Sequence, residues 1–161
     1  MPKYLLLVVI SLLSVSSSSI QKIKTFVYDY EGVLSMPEKN TLDSLFRQHE
    51  KKTNNEVVLL TTPDFGKYQK IDDYSLATGN KMGIGKAEKD NGVLIVFSQA
   101  QREARISTGL GTEEILTDSI AVEIMFNIMI PRFKEGKMFE GIFSGSKAIT
   151  DFLEKPENEI R

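Results

Sequence analysis

Five consecutive apolar residues, Val93-Leu94-Ile95-Val96-Phe97, stand between the polar run Lys86 to Gly92 and a polar stretch from Gln99 to Glu103. A run this short and this rich in β-branched residues reads as a strand. Successive side chains of a strand point to opposite faces, so both faces of this one are apolar. Such a strand needs cover above and below, which helices supply in α/β proteins.

The flanking segments fit that demand. Ser35-Met36-Pro37-Glu38 is a capping box with Pro in the first turn. Leu42, Leu45, Phe46 and His49 recur behind it at helical spacing, and Thr53-Asn54-Asn55 ends the helix. Val57 to Leu60 reads as a second interior strand, closed by Thr61-Thr62-Pro63. Ile71 to Met82 reads as a helix that Gly83-Ile84-Gly85 breaks. Arg105 to Ser107 is a shorter strand ending at Thr108-Gly109-Leu110-Gly111. Thr117 or Asp118 caps a helix with the stripe Ala121, Ile124, Met125, Ile128 and Met129, which Pro131 is expected to stop. A last helix carries Phe139, Ile142, Phe143, Ile149, Phe152 and Leu153. With a short strand or arm at Ile23 to Tyr30 in front, the order predicts an α/β fold. Its form is a three-layer α/β/α sandwich around a small mixed sheet of about four strands.

The chain of 161 residues suits one domain. Its start, MPKYLLLVVISLLSVSSSS, runs from a positive charge at Lys3 through the apolar stretch Tyr4 to Val15 to small serines. That is the order of a secretory signal peptide, and the apolar part is shorter than the about 20 residues of a spanning helix. The expected division is a signal peptide at 1–19, one domain at 20–155 and a polar tail at 156–161. The expected product is an exported protein, periplasmic or secreted, with no membrane span after cleavage, and a monomer.

Composition narrows the chemistry. The absence of Cys removes disulfides, thiolate zinc sites, iron–sulfur clusters and a cysteine nucleophile. A single His removes a multi-histidine metal site. A net charge of −2 argues against nucleic acid as the partner, since binding phosphates needs a basic face. His49, which a Ser–His–Asp arrangement would require, falls on the apolar stripe of the first helix. Phe143-Ser144-Gly145-Ser146 lies inside a helical pattern, where no nucleophile elbow forms. Val27-Tyr28-Asp29-Tyr30-Glu31-Gly32-Val33-Leu34 has the outline of a D-x-D-G-T-L phosphatase signature. Glu31 replaces its second Asp, Val33 its Thr, and the longer arm displaces the proton donor. Gly83-Ile84-Gly85-Lys86 lacks the spacing of a phosphate-binding loop.

Carboxylates and amides gather in three turns at strand ends. Asp29 and Glu31 share one, Glu88, Asp90 and Asn91 another, and Glu113, Glu114 and Asp118 the third. Oxygen ligands on loops are what a calcium site uses, and the same residues also suit ordinary solvated turns and helix starts.

The blocks KDNGVLIVFS, RISTGLGTEEILTD and IPRFKEGKMFEGI, with VYDYEGVLS upstream, resemble the TPM domain family from about Val27 to about Phe152. That family includes thylakoid-lumen proteins tied to photosystem II repair, a nematode receptor-modulating protein and many exported bacterial proteins. The resemblance implies an α/β/α sandwich and a divalent metal, calcium or alternatively magnesium, where loops cross near strand ends. The matching positions are Asp29, Asp90, Asn91, Asp118 and Glu113 or Glu114, with Glu31 a bulkier acid that adds a ligand or faces solvent. The expectation is a metal that is mainly structural in a module that binds a cell-envelope partner or serves envelope maintenance. Phosphatase activity, which the resemblance implies for some plant members, is the alternative. It would need a nucleophile or paired metals, plus cations such as Lys86, Arg102 and Arg105.

Overall fold

The computed structural model describes residues 24–160. The expected signal peptide at 1–19 lies outside them. The strands are β1 (Val27–Asp29), β2 (Glu56–Thr61), β3 (Gly92–Ser98) and β4 (Glu103–Thr108). They form one sheet in the order β1-β2-β3-β4, parallel in the first two pairs and antiparallel in the last. The helices are α1 (Met36–Thr53), α2 (Ile71–Met82), α3 (Leu110–Glu113), α4 (Asp118–Ile124), α5 (Ile130–Lys134) and α6 (Met138–Leu153).

Register assigns the faces. Val27, Leu59, Ile95 and Ile106 lie in one line across the sheet, so they share a face with Phe97 two positions along. Helices α1 and α4 to α6 cover that face: Phe97 meets Phe133 of α5, ring centroids 4.9 Å apart, and α1 packs on α6. Helix α2 covers the other face. Its Ser75 Oγ lies 2.7 Å from Ser107 Oγ, and a Cβ on its Gly79 would sit 3.7 Å from Leu94. Every residue of β2 and β3 is buried, as a doubly covered pair of strands requires. Both parallel crossovers step the same way across the sheet while their helices lie on opposite faces. The two therefore have opposite hands, and one departs from the usual right-handed rule.

Local signals set the helix starts. The Glu38 carboxylate accepts from the Ser35 N–H at 2.7 Å and from its hydroxyl at 2.6 Å. Thr117 caps α4 by accepting from the Ile120 N–H. Pro131, expected to stop that helix, does not. Met125–Met129 forms a π-helical turn in which the Ile130 N–H reaches the Met125 carbonyl. Pro131, with no N–H to offer the fourth residue back, enters the first turn of α5 directly after this widened turn. Helix α6 packs close because Gly141 and Gly145 have no Cβ, which would overlap Phe133 and Met129.

The polar tail expected at 156–161 is also corrected. Pro156–Asn158 makes a 3-10 turn, Asn158 Nδ2 donates to the Phe152 carbonyl at 2.8 Å, and Ile160 is buried in the core. Both ends of the described chain approach the C-terminal turns of α1. Lys24 pairs with Glu50 and Glu56, and Glu154 meets His49 and Lys52.

Candidate functional site

Two loops cross where β3 begins and β4 ends. The Gly109 N–H donates to the Gly92 carbonyl at 2.8 Å. A Cβ on Gly109 would overlap the Asp90 carbonyl, and one on Gly111 the Lys89 carbonyl. Asp90 takes φ +46°, a left-handed conformation that Asp tolerates better than most residues. Asn91 is completely buried and holds the crossing. Its Oδ1 accepts from the Lys86 N–H at 2.8 Å, and its Nδ2 donates to the Asn54 carbonyl at 2.9 Å and to Asn55 Oδ1 at 3.0 Å. Its side-chain amide serves as a structural tie, with both Nδ2 hydrogens donated and Oδ1 accepting from the backbone.

The carboxylate of Asp29 is at the other end of the sheet and only 1% exposed. It accepts from the Val33 and Leu34 N–H groups at 3.1 and 3.2 Å and from the Thr61 hydroxyl. Lys39 Nζ of α1 lies 2.9 Å from its second oxygen. Burial opposes ionisation there, but the Thr61 hydroxyl, Lys39 and the two backbone donors outweigh it and hold the carboxyl below the usual range. Lys39 supplies the positive charge at this position. The Glu31 carboxylate accepts from Gln99 N–H at 3.0 Å and Ala100 N–H at 2.8 Å, so it clamps the tip of the β3–β4 hairpin.

Asp29 is level with Thr61 and Phe97, whereas Asp90 precedes Gly92, five residues back along β3. At about 3.3 Å per residue the two carboxylates are separated by roughly 17 Å or more, so one ion cannot join them. Asp118 accepts from Arg105 at 3.2 Å, beside the outer strand. Asp90, Glu113 and Glu114 are exposed, and their carboxylates make no bond to another described side chain. No three His, Asp or Glu side chains converge as metal ligands among the described residues. The arrangement therefore does not fit a single cation cage built from all seven expected positions: Asp29, Glu31, Asn91 and Asp118 are committed elsewhere.

His49 offers no catalytic base. It is fully buried, with Nδ1 3.1 Å from Glu154 and Nε2 3.3 Å from Thr53 Oγ1. Burial pushes its pKa down, and Lys52 adds to this against the opposing pull of Glu154.

The open surface of chemical interest is an apolar groove of about 1030 Å³ at the hairpin end. The π-helical turn and α5 form one wall, through Met125, Phe126 and Ile130, with Phe97 and Phe133 below and Met138 closing one side. Phe126 is 62% exposed and borders this groove. Arg102 and Lys134 stand on the rim with Glu103. The helical stripe in the sequence shows Met125 and Met129 facing inward but gives no sign of this groove. The available signal was Phe126 itself, off the stripe, close before a proline within a continuous helical pattern. No helix among the described residues is long and apolar enough to cross a membrane.

The TPM domain family model matches residues 27–152, and the chain belongs to that family. The fold is similar to the N-terminal domain of a protein from P. gingivalis, with a TM-score of 0.76 at 28% identity, covering 85% of this chain and 87% of that one. It is also similar to BA42 from the psychrophilic bacterium Bizionia argentinensis, with a TM-score of 0.66 at 19% identity, covering 80% and 90%. A third similar structure is the N-terminal domain of the cg2496 protein from Corynebacterium glutamicum, with a TM-score of 0.64 at 11% identity, covering 83% of each chain. No curated protein matches the chain.

Proposed function

We propose that this TPM domain is an exported binding module that engages a cell-envelope protein through the apolar groove at its hairpin end. The observation that carries the reading is Phe126, 62% exposed at the edge of a groove with aromatic side chains below. An exposed aromatic side chain beside an apolar groove is a surface on which a partner can dock. The titratable groups support binding over hydrolysis. The one imidazole is buried, which shuts it and the Thr53 hydroxyl at its Nε2 away from a substrate, and Asp29 is saturated by four donors.

Calcium, or magnesium in its place, enters this proposal only as a brace of the loop crossing. Asp90, Glu113 and Glu114 are the expected ligands still free of protein partners, and hard-oxygen sites of modest affinity suit an exported protein. Calcium is expected to raise the melting temperature over that in chelator, and Asp90→Asn to remove the difference. Equal melting curves in both media overturn the brace.

The groove is tested by passing an envelope extract over immobilised wild type and Phe126→Asp, both checked by circular dichroism. The partner is retained by wild type and lost from the variant. Equal retention overturns the reading, as does hydrolysis of an aryl phosphate that Asp29→Asn and Asp90→Asn abolish together, which is the signature of the phosphatase alternative.

A further inference from the structure

The loop crossing demands two residue types side by side. Position 91 needs an amide, because the side chain must accept from the Lys86 N–H and donate to both the Asn54 carbonyl and Asn55 Oδ1. Position 92 needs a glycine, because a Cβ there would overlap the Ile84 carbonyl. The result is Asn91-Gly92, the one place in this sequence where Asn precedes Gly. That pair is chemically fragile, because no side chain on the following residue shields its backbone nitrogen from the Asn side-chain carbon.

The fold keeps the two groups from reacting. Asn91 is completely buried, and Gly92 is buried beside it. Ring closure would make the planar side-chain carbon tetrahedral and pull the amide off its three partners. It would also turn the Asn91 backbone out of the extended form, so that its carbonyl would lose the Glu56 N–H, now 3.1 Å away. The Gly92 nitrogen is enclosed as well, since a Cβ on Gly85 would overlap it. In the closed crossing these atoms are pinned, and in an opened one they are free.

We propose that Asn91 is a site of spontaneous deamidation gated by the loop crossing, which makes a prolonged opening of these loops irreversible. The Gly92 backbone nitrogen gives up its proton and bonds to Asn91 Cγ. The Cγ–Nδ2 bond breaks, and Nδ2 leaves with that proton as ammonia. A five-membered succinimide remains. Water opens it at either carbonyl, leaving an aspartyl residue, or an isoaspartyl one whose main chain runs through the former side chain. One water is consumed and one ammonia released, and nothing is oxidised or reduced. Neither product can retie the crossing. An aspartyl carboxylate has no N–H for the Asn54 carbonyl or Asn55 Oδ1, and it would set a buried negative charge against both oxygens. An isoaspartyl link adds a carbon to the main chain where β3 begins and upsets its pairing.

The protein is incubated at neutral pH in heavy-oxygen water, folded in buffer or unfolded in guanidinium chloride, and conversion at position 91 is followed by peptide mass mapping. The heavy oxygen labels only what converts during the incubation. The folded rate is the unfolded rate multiplied by the open fraction, so the folded protein converts at least about a hundredfold more slowly. Gly111→Ala strains the crossing, leaves both reacting residues in place, and raises the folded rate about tenfold or more. Chains aged while unfolded and returned to buffer melt lower than chains unfolded briefly, and Asn91→Asp reproduces that loss. Equal folded and unfolded rates, or an unfolded chain that does not convert, overturn the proposal. So does an unchanged rate in Gly111→Ala that urea shows to be destabilised. If Gly111→Ala does not fold, wild type in stepped guanidinium below its unfolding midpoint tests the gate: the rate climbs as opening increases, and a flat rate overturns it. Melting of Asn91→Asp or of the aged chains at the wild-type temperature overturns the irreversibility.

Discussion

Replacing Asn91 with Ala should unravel the loop crossing, and the size of the effect follows from its three hydrogen bonds. The side chain is fully buried and serves the Lys86 N–H, the Asn54 carbonyl and the Asn55 side chain at 2.8 to 3.0 Å. Truncation leaves these three groups without their partner, the Asn55 side chain in the interior and the Lys86 N–H and Asn54 carbonyl partly buried. A buried polar group so orphaned costs about 1–3 kcal/mol, and partial rehydration after the loops relax brings the total to about 3–4 kcal/mol. That is a large share of the roughly 5–15 kcal/mol by which a domain is stable. For a domain of this size it corresponds to a fall in melting temperature of about 10 °C. Urea unfolding followed by circular dichroism, with the midpoint shifted and the slope unchanged, measures it. Asp90→Asn is the control. It keeps the left-handed backbone comfortable and removes an exposed charge, so without calcium it should cost less than about 0.5 kcal/mol. A loss below about 1 kcal/mol for Asn91→Ala, or one that appears only with calcium present, would refute the assignment of Asn91 as a structural tie.

Asp29 makes stability depend on acid. Its carboxyl is held below the usual range in the fold, so its contribution is present above the unfolded carboxylate range and is lost as pH falls through the folded value. Wild type should exceed Asp29→Asn by about 1–2 kcal/mol at neutral pH, the worth of a hydrogen bond to a charged group, with the gap closing as pH falls below the ordinary carboxylate range in urea titrations at stepped pH. The single His49 gives an unambiguous proton NMR signal. Its pKa should lie below that of a free imidazole, and Glu154→Gln should lower it further, because Glu154 pulls it upward. Protons then bind the unfolded chain more readily, so stability falls as pH drops through the ordinary imidazole range. Gly111→Ala places a methyl against the Lys89 carbonyl, a backbone atom that cannot swing aside, and should cost about 2–3 kcal/mol in the same urea assay.

The elements were readable where local chemistry decides them. Val93 to Phe97 is apolar at every position and is buried at every position. The capping box at Ser35 and the cap at Thr117 both form. The exception, Pro131, is local in sequence but not in cause, because a π-helical turn ahead of it depends on how Met125 and Met129 pack against the rest of the fold.

The site was less legible for the same reason. Asp29 and Asp90 look alike in sequence, as acids in turns at strand ends. Their fates are set by residues far along the chain: Lys39 and Thr61 surround one, while the other is left in solvent. Asn91 and Glu31 were found as functional candidates, but what each holds lies across the chain, Asn91 at Asn54 and Glu31 at Gln99. The groove is built from the hairpin, the π-helical turn and α5, and no single stretch of sequence contains its shape.

Lys24 and Glu154 both meet α1 near its last turns, at the pole opposite the hairpin. A tether fixed near either residue would hold the molecule by its base and leave the groove pointing away from the attachment. A fluorophore or surface linker placed there should not obstruct docking, whereas one at Gln101 would sit beside the mouth of the groove. Mechanical load applied between the two attachment points would pass through the ion pairs around α1 and bypass the binding end.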